Sequence, residues 1–331
     1  MRVLVTGAGG FLGFAIARAL ILRGDKVVAV NRSHYPKLHE LGALQFQGDI
    51  AEPGVLNPAA EGCDAIAHVA ALPGHWGRYD DYYRANVLGT ERVLEACRLL
   101  NIGKLVYTST PSVAHAGGNL AGVDESAPIP GRFRAHYPAT KAIAEAAVLA
   151  ANHSNLATCA LRPHLIWGPG DNHLLPRLIA RARAGKLKFV GKSQLIDTIF
   201  IDNAVQAHLL ALDQLAPNAA CAGKAYFLSN DEPIALDVMV NKLLACANIA
   251  PVNRRIPYPL AYAAGALLEL AYTFLPINGE PIMTRFLAEQ LATAHWYDIS
   301  AIKRDLGYRA LVSIEEGLGI LRRVIQTQAN T

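Results

Sequence analysis

The run Thr6-Gly7-Ala8-Gly9-Gly10-Phe11-Leu12-Gly13 constrains this chain more than any other stretch. It follows the β-branched run Val3-Leu4-Val5 and leads into a long apolar segment with no proline, 11–22. A strand that turns through glycines directly into a helix opens a parallel α/β unit. Each spaced glycine answers a separate need. The chain must turn tightly, the backbone must approach a pyrophosphate closely, and the helix must lie against the strand. The helix start then offers unpaired N–H groups and the positive end of its dipole to phosphate. The spacing, Gly7-x-x-Gly10-x-x-Gly13, departs from the common G-x-G-x-x-G, so the position after strand one carries the reading.

Further short runs follow at 27–30, 44–46, 65–69, 105–107 and 158–161, separated by helix-period stretches such as 89–100 and about 138–152. Strands alternating with helices predict an α/β fold, a doubly wound parallel Rossmann sheet, with a smaller C-terminal substrate-binding lobe. The nucleotide-binding domain is expected over 1–165. Later segments near 195–230 complete its sheet, with short strands at 198–201 and 225–228, and 166–331 forms mainly the lobe. The 52% apolar and 18% charged content describes a folded globule. The net charge is only +4, without a basic run, which excludes a nucleic-acid partner. Five scattered cysteines with no C-x-x-C give neither a disulfide nor a zinc framework, so no metal is expected. The early apolar segment, interrupted by Arg18, reads as a buried helix rather than a leader, and the expected compartment is the cytoplasm.

Asn31-Arg32-Ser33 ends the second strand, where an NAD-binding chain places a carboxylate on the ribose 2′-hydroxyl. An arginine there, with Lys37 nearby, selects a 2′-phosphate instead, so the expected cofactor is NADPH/NADP+. Tyr137-Pro138-Ala139-Thr140-Lys141 sets a phenol and an ammonium at i and i+4, on one helix face. The ammonium, together with the positive nicotinamide of an oxidised complex, should pull the phenol's pKa down towards the working range, making Tyr137 an acid–base group. Hydroxyls of the run Thr108-Ser109-Thr110 leave the fifth strand where they can polarise a carbonyl.

Together these residues resemble the extended short-chain dehydrogenase/reductase superfamily, over nearly the whole chain. The resemblance implies catalytic Tyr137, Lys141 and Thr110, the last replacing the usual serine. It implies cofactor contacts at Gly7, Gly10, Phe11, Leu12, Gly13, Asn31, Arg32, Asp49, Ile50, Ala70 and Ala71, at Tyr137 and Lys141 themselves, and at Pro163 and Ile166 in the segment 161–171. Asn86 is its structural asparagine. Within the superfamily, Tyr107-Thr108-Ser109-Thr110 and 197–203 with Ala207-His208 are similar to the 3β-hydroxysteroid dehydrogenase-like branch. That branch implies lipid-like chemistry. The reaction it points to is NADPH-dependent reduction of a hydrophobic β-keto acid to a β-hydroxy acid, as in long-chain olefin biosynthesis. The alternative is 3β-hydroxysteroid or sterol oxidation. Sugar-nucleotide epimerases carry an arginine where this chain has Ile196, and a non-catalytic NADP-sensing binder has no need of the Tyr-Lys pair.

The substrate should meet the aromatic loop 72–79 and the region 256–285. His75, Trp76 and His164 are the candidate contacts, with Arg78 and Arg285 as candidates for a carboxylate. Leu260, Ala264, Leu267, Ala271 and Phe274 recur at helical spacing within 258–276. That segment reads first as a core or lid helix, and second as a membrane-surface or partner-enzyme contact. The resemblance also implies a homodimer through the helices bearing Gly89 and Tyr137.

Overall fold

The computed structural model describes residues 1–277 and 279–329. Its centre is a seven-stranded sheet: β1 (Arg2–Thr6), β2 (Lys26–Asn31), β3 (Leu44–Gln47), β4 (Ala65–His68), β5 (Lys104–Thr108), β6 (Ala157–Pro163) and β7 (Lys224–Leu228). They lie in the order β7-β6-β5-β4-β1-β2-β3, with every pairing parallel. The order reverses between β1 and β4, which opens the crevice where ligands gather in such sheets.

Side-chain alternation along the strands builds a core on each face. Val3, Val5 and Ala29 point into one, with Ile16 and Leu20 of helix α1 (Phe11–Leu22). Leu4, Val28 and Ile66 point into the other, with Val93 and Ala96 of α2 (Gly89–Leu99) and Ala144 and Val148 of α3 (His136–Ala150). A fourth helix, α4 (Ile201–Gln214), packs beside α1 through Ala204 and Ala211. The sheet is thus covered on both faces, the doubly wound arrangement that the alternation predicts. Buried Glu145 and Arg162 tie α3 to β6 by two parallel hydrogen bonds, at 2.9 and 2.5 Å. Removing either partner would strand a buried charge, a loss of about 3–5 kcal/mol.

One predicted strand lies elsewhere. Ile199–Phe200 pairs with Ile166–Trp167 and stays outside the central sheet. A second, four-stranded sheet forms the lobe, in the order Ile234–Ala235, Leu195–Ile196, His295–Tyr297 and Leu120–Val123. Its last strand is borrowed from the chain between β5 and α3, so the lobe is stitched to the catalytic edge of the main sheet.

The long apolar segment forms helix α5 (Tyr258–Phe274), which packs on α6 (Arg285–Ala292). Its leucine stripe does not face a core, so of the core-or-lid expectation the core half is not met. Leu260, Leu267 and Phe274 are 61%, 69% and 78% exposed, while Ala261 and Gly265 are buried. The reason is steric. A Cβ at Gly265 would lie 2.6 Å from the Thr284 carbonyl carbon, so only the small-residue face allows this approach. Among the described residues no helix is long and apolar enough to cross a membrane.

Candidate active site

The glycine turn has the shape that phosphate binding needs. Gly7 adopts φ +69°, and a Cβ there would sit 2.8 Å from the Ala70 Cα. At Gly13 a Cβ would come within 2.2 Å of the Gly7 carbonyl oxygen, so α1 can reach the strand only through glycine. No side chain caps α1 at Gly10, which leaves its first N–H groups free. Asn31 accepts the Gly9 N–H at 2.8 Å, and its own Nδ2 is buried without a partner. The open helix start and the orphaned amide fit a dinucleotide lying across the turn. Phe11 lies in contact distance of Gly170, in the segment 161–171, and Leu12 is buried below the turn. Arg32 is exposed, its carbonyl held by Gln47 at 3.1 Å, and its guanidinium has no partner among the described residues. The Asp49 carboxylate is already engaged, accepting from Ala51 and from Arg84. Ile50 lies directly under Gly89 and Ala71 is exposed.

A hydrogen-bonded relay joins this turn to the catalytic helix, and sequence reasoning did not find most of it. Thr6 Oγ1 accepts from the Val69 and Ala70 N–H groups, so its proton goes to His68 Nδ1 at 2.7 Å. Thr90 donates its hydroxyl proton to the Asn86 carbonyl and therefore accepts from His68 Nε2–H at 2.9 Å. Burial holds His68 neutral, its pKa pushed down to about 3. Asn86 clamps both backbone groups of Leu72 and donates to Thr140 at 3.0 Å. Thr140 bonds the first-turn carbonyls of α3. The signal for His68 was a single polar residue within the apolar run 65–69, whereas Thr90, followed by Glu91-Arg92, read as one polar position of an amphipathic helix.

Tyr137 lies in the first turn of α3, and the nearby Thr110 hydroxyl favours its phenolate. Thr110 is buried and also accepts from Ser112 N–H. The three expected catalytic residues are therefore gathered at the carboxyl edge of β5. Neighbouring Ser109 is buried with no partner for its hydroxyl. Lys141 is buried one turn beyond Tyr137, with Nζ donating to the Thr108 carbonyl at 2.6 Å and lying 4.1 Å from the centre of the Tyr107 ring. Burial pushes its pKa down to about 7, partly opposed by Glu145.

The phenol departs from expectation. Burial drives the Tyr137 pKa up to about 12, and the Thr110 hydroxyl offsets this only in part. Desolvating a phenolate costs more than the Thr110 hydroxyl returns, and Lys141 is not among the groups that lower it. Tyr137 is a neutral, proton-bearing group at neutral pH.

At the start of α3, where His136 precedes Tyr137, opens a cleft of about 940 Å³, walled by His75, Trp76, Arg78, Arg134, His136, Ala266, Glu269, Tyr272 and Arg285 among others. The aromatic loop and α5 thus meet here: Trp76 packs edge-on against Tyr272, and His75 reaches the Pro281 carbonyl at 3.3 Å. Arg285 is occupied by Glu269, and Arg78 lies 3.6 Å from Asp80. His164 follows Pro163 at the end of β6 and sits deeper, its ring against His295 and Tyr297. Ile166 pairs with Ile199 behind it. Among the described residues no His, Cys, Asp and Glu cluster could hold a metal.

This strand order, glycine turn and Tyr-x-x-x-Lys helix define an extended short-chain dehydrogenase/reductase. Residues 4–259 match the 3-beta hydroxysteroid dehydrogenase/isomerase family, and the chain belongs to that family. A 2-alkyl-3-oxoalkanoate reductase of Stenotrophomonas maltophilia is 53% identical to it, over 97% of this chain and 98% of that protein. A sterol-4-alpha-carboxylate 3-dehydrogenase, decarboxylating, of Mus musculus is 35% identical, over 96% of this chain and 89% of that one. Among solved structures, MoeE5 in complex with UDP-glucose and NAD superimposes with a TM-score of 0.76. At 24% identity, over 99% of this chain and 100% of that one, this is a likeness of fold.

Proposed function

We propose that the protein is an NADPH-dependent reductase that converts a hydrophobic 2-alkyl-3-oxoalkanoate to the 2-alkyl-3-hydroxyalkanoate, with Tyr137 as general acid. The observation that carries this reading is the placement of proton-bearing Tyr137 one turn before buried Lys141 and beside Thr110, with His136 next to it lining a cleft. The named activity of the 53% identical relative supports the substrate class. NADPH, when bound across the glycine turn, supplies the hydride. Thr110 and Tyr137 hold the substrate's carbonyl oxygen between two hydroxyls. As negative charge develops on that oxygen, Tyr137 passes its proton to it, since an alkoxide is a much stronger base than a phenolate. Lys141, half-charged near neutrality, stabilises the phenolate left behind. Unpaired Arg32 and the absence of an acid after β2 support the 2′-phosphate and hence NADPH.

The second reading, oxidation of a 3β-hydroxysteroid or sterol, is favoured by the 35% identical sterol dehydrogenase. The two are separated by NADPH oxidation with the purified protein against a long-chain 2-alkyl-3-oxo acid, a 3-ketosteroid and a UDP-sugar. Rapid turnover of the acid supports the proposal, and turnover of the steroid alone overturns it. Our reading of the assembly is a cytoplasmic homodimer through α2 and α3, supported by exposed Leu99 and Ile143 on those helices. The exposed stripe of α5 supports delivery of a greasy substrate from a lipid surface or partner enzyme.

A further inference from the structure

A carboxylate beside a reacting ketone needs its own partner. In a β-keto acid it lies two carbons from the carbonyl carbon, so the residues that recognise it must bracket Tyr137 and Thr110. Arg134 and His115 flank those two residues along the chain. Arg134 lies three residues before Tyr137, at the mouth of α3, and lines the cleft. His115 closes the short turn that begins at Thr110.

Both are supplied with unused hydrogen-bonding groups. His115 is 6% exposed, wedged between the rings of His295 (centroids 5.0 Å apart) and Phe286 (6.3 Å), and neither ring nitrogen has a partner. Native proteins rarely bury both nitrogens of an imidazole unpaired unless something else completes them. Arg134 gives its Nε edge to Glu289 at 3.0 Å and one Nη1–H to the Tyr262 hydroxyl at 3.2 Å. A guanidinium has five N–H donors, so others remain for a ligand. The two groups share one neighbourhood, because α6 sets Phe286 against the His115 ring and, three residues on, pairs Glu289 with Arg134. A neutral imidazole brings one donor and no competing charge. Behind His115, His164 also buries an unpartnered Nε2, and His295 uses its own on Thr293 at 3.1 Å.

We propose that Arg134 and His115 form the subsite that grips the substrate's carboxylate, with Glu289 holding the guanidinium in place. This rests on the reductase reading above and names the residues that would restrict it to acids. The substrate's carboxylate receives a charged hydrogen bond from Arg134 and a second, buried one from His115, while the ketone oxygen meets Thr110 and Tyr137.

The test compares a freshly hydrolysed 2-alkyl-3-oxo acid with its methyl ester, each with NADPH. The unmodified protein should prefer the acid, through KM. Arg134→Gln and His115→Leu should each raise KM for the acid about 10- to 100-fold and leave kcat and the ester little changed. Arg134→Lys should recover part of the loss, and NADPH binding, followed by its fluorescence, should persist in every variant. Equal use of acid and ester by the unmodified protein, or variants that impair both alike, would overturn the subsite and leave the reductase reading standing. Reduction of a 3-ketosteroid with neither acid nor ester consumed would overturn the reading itself.

Discussion

The cofactor end and the substrate end of this molecule handle buried polar groups in opposite ways. Around the glycine turn, the hydroxyls and rings of Thr6, His68, Thr90, Asn86 and Thr140 satisfy one another in a chain that runs from β1 to α3. Beyond β5 and β6, on the substrate side, Ser109, His115 and His164 bury atoms that no described residue completes. Apolar surface follows the same division: the sheet's leucines and valines are enclosed, whereas the leucines of α5 face outwards. The relay is the finished part, complete when the protein folds, whereas the atoms of Ser109, His115 and His164, like the Asn31 amide at the turn, are left for a ligand to complete. A fully satisfied network fixes geometry, which hydride chemistry needs. Unsatisfied donors and exposed apolar surface provide binding energy that is released only when substrate arrives.

If that contrast is right, damage at the finished end should be severe and general. Tyr137→Phe removes the positioned acid while keeping the ring, and kcat should fall about 10²- to 10⁴-fold with NADPH binding intact. A fall of less than tenfold would remove Tyr137 from the mechanism. Arg32→Ala should act next, cutting kcat/KM with NADPH about tenfold or more and leaving NADH nearly unaffected, since only the 2′-phosphate loses a charged partner. Equal use of both cofactors by the unmodified protein would contradict the assignment of Arg32.

The same division governs what could be read from the sequence. The central sheet was legible because β-branched runs and helical periods repeat locally, and the glycine turn was legible because only glycine meets its steric demands at Gly7 and Gly13. Tyr137, Lys141 and Thr110 were legible through spacing and placement after β5, and the structure gathers them. The direction of the Tyr137 shift was not, because desolvation is a tertiary property that the spacing of Tyr137 and Lys141 does not reveal. The orientation of α5 was also hidden. Its leucines and its small residues both recur at helical spacing, and only the approach of Thr284 and Arg285 decides that Gly265 faces inwards. Arg134 and His115 carry no local signal, since the groups that make them unusual arrive from α6 and from the strand His295–Tyr297.

Acid should expose the cost of the buried rings. Burial lowers the pKa of His68 to about 3, of His115, His164 and His208 to about 4, and of His295 to about 2. Between the unfolded value near 6.5 and about 4, the unfolded chain binds protons that the folded chain refuses. Stability is therefore complete above that window and falls as pH drops through it. Thermal melts should show a steadily decreasing Tm from pH 6.5 to 4, and His115→Leu should make the decline shallower. A Tm unchanged across the window would mean that these rings are solvated.

The gentlest substitutions test the outer surface of α5. Leu267→Ser and Phe274→Ser change side chains that are 69% and 78% exposed, so neither should move stability by more than about 0.5 kcal/mol. If the stripe serves only solubility or chance, nothing else should change either. If it meets a lipid surface, flotation with phospholipid vesicles should weaken in the double variant, because each buried methylene contributes about 0.8 kcal/mol to membrane partition. Turnover of a short, water-soluble acid should be unaffected, since the substituted side chains face away from Tyr137 and the finished end. Loss of that soluble activity would show instead that α5 closes over the substrate, and the division between the two ends would have to be redrawn along the Gly265 contact.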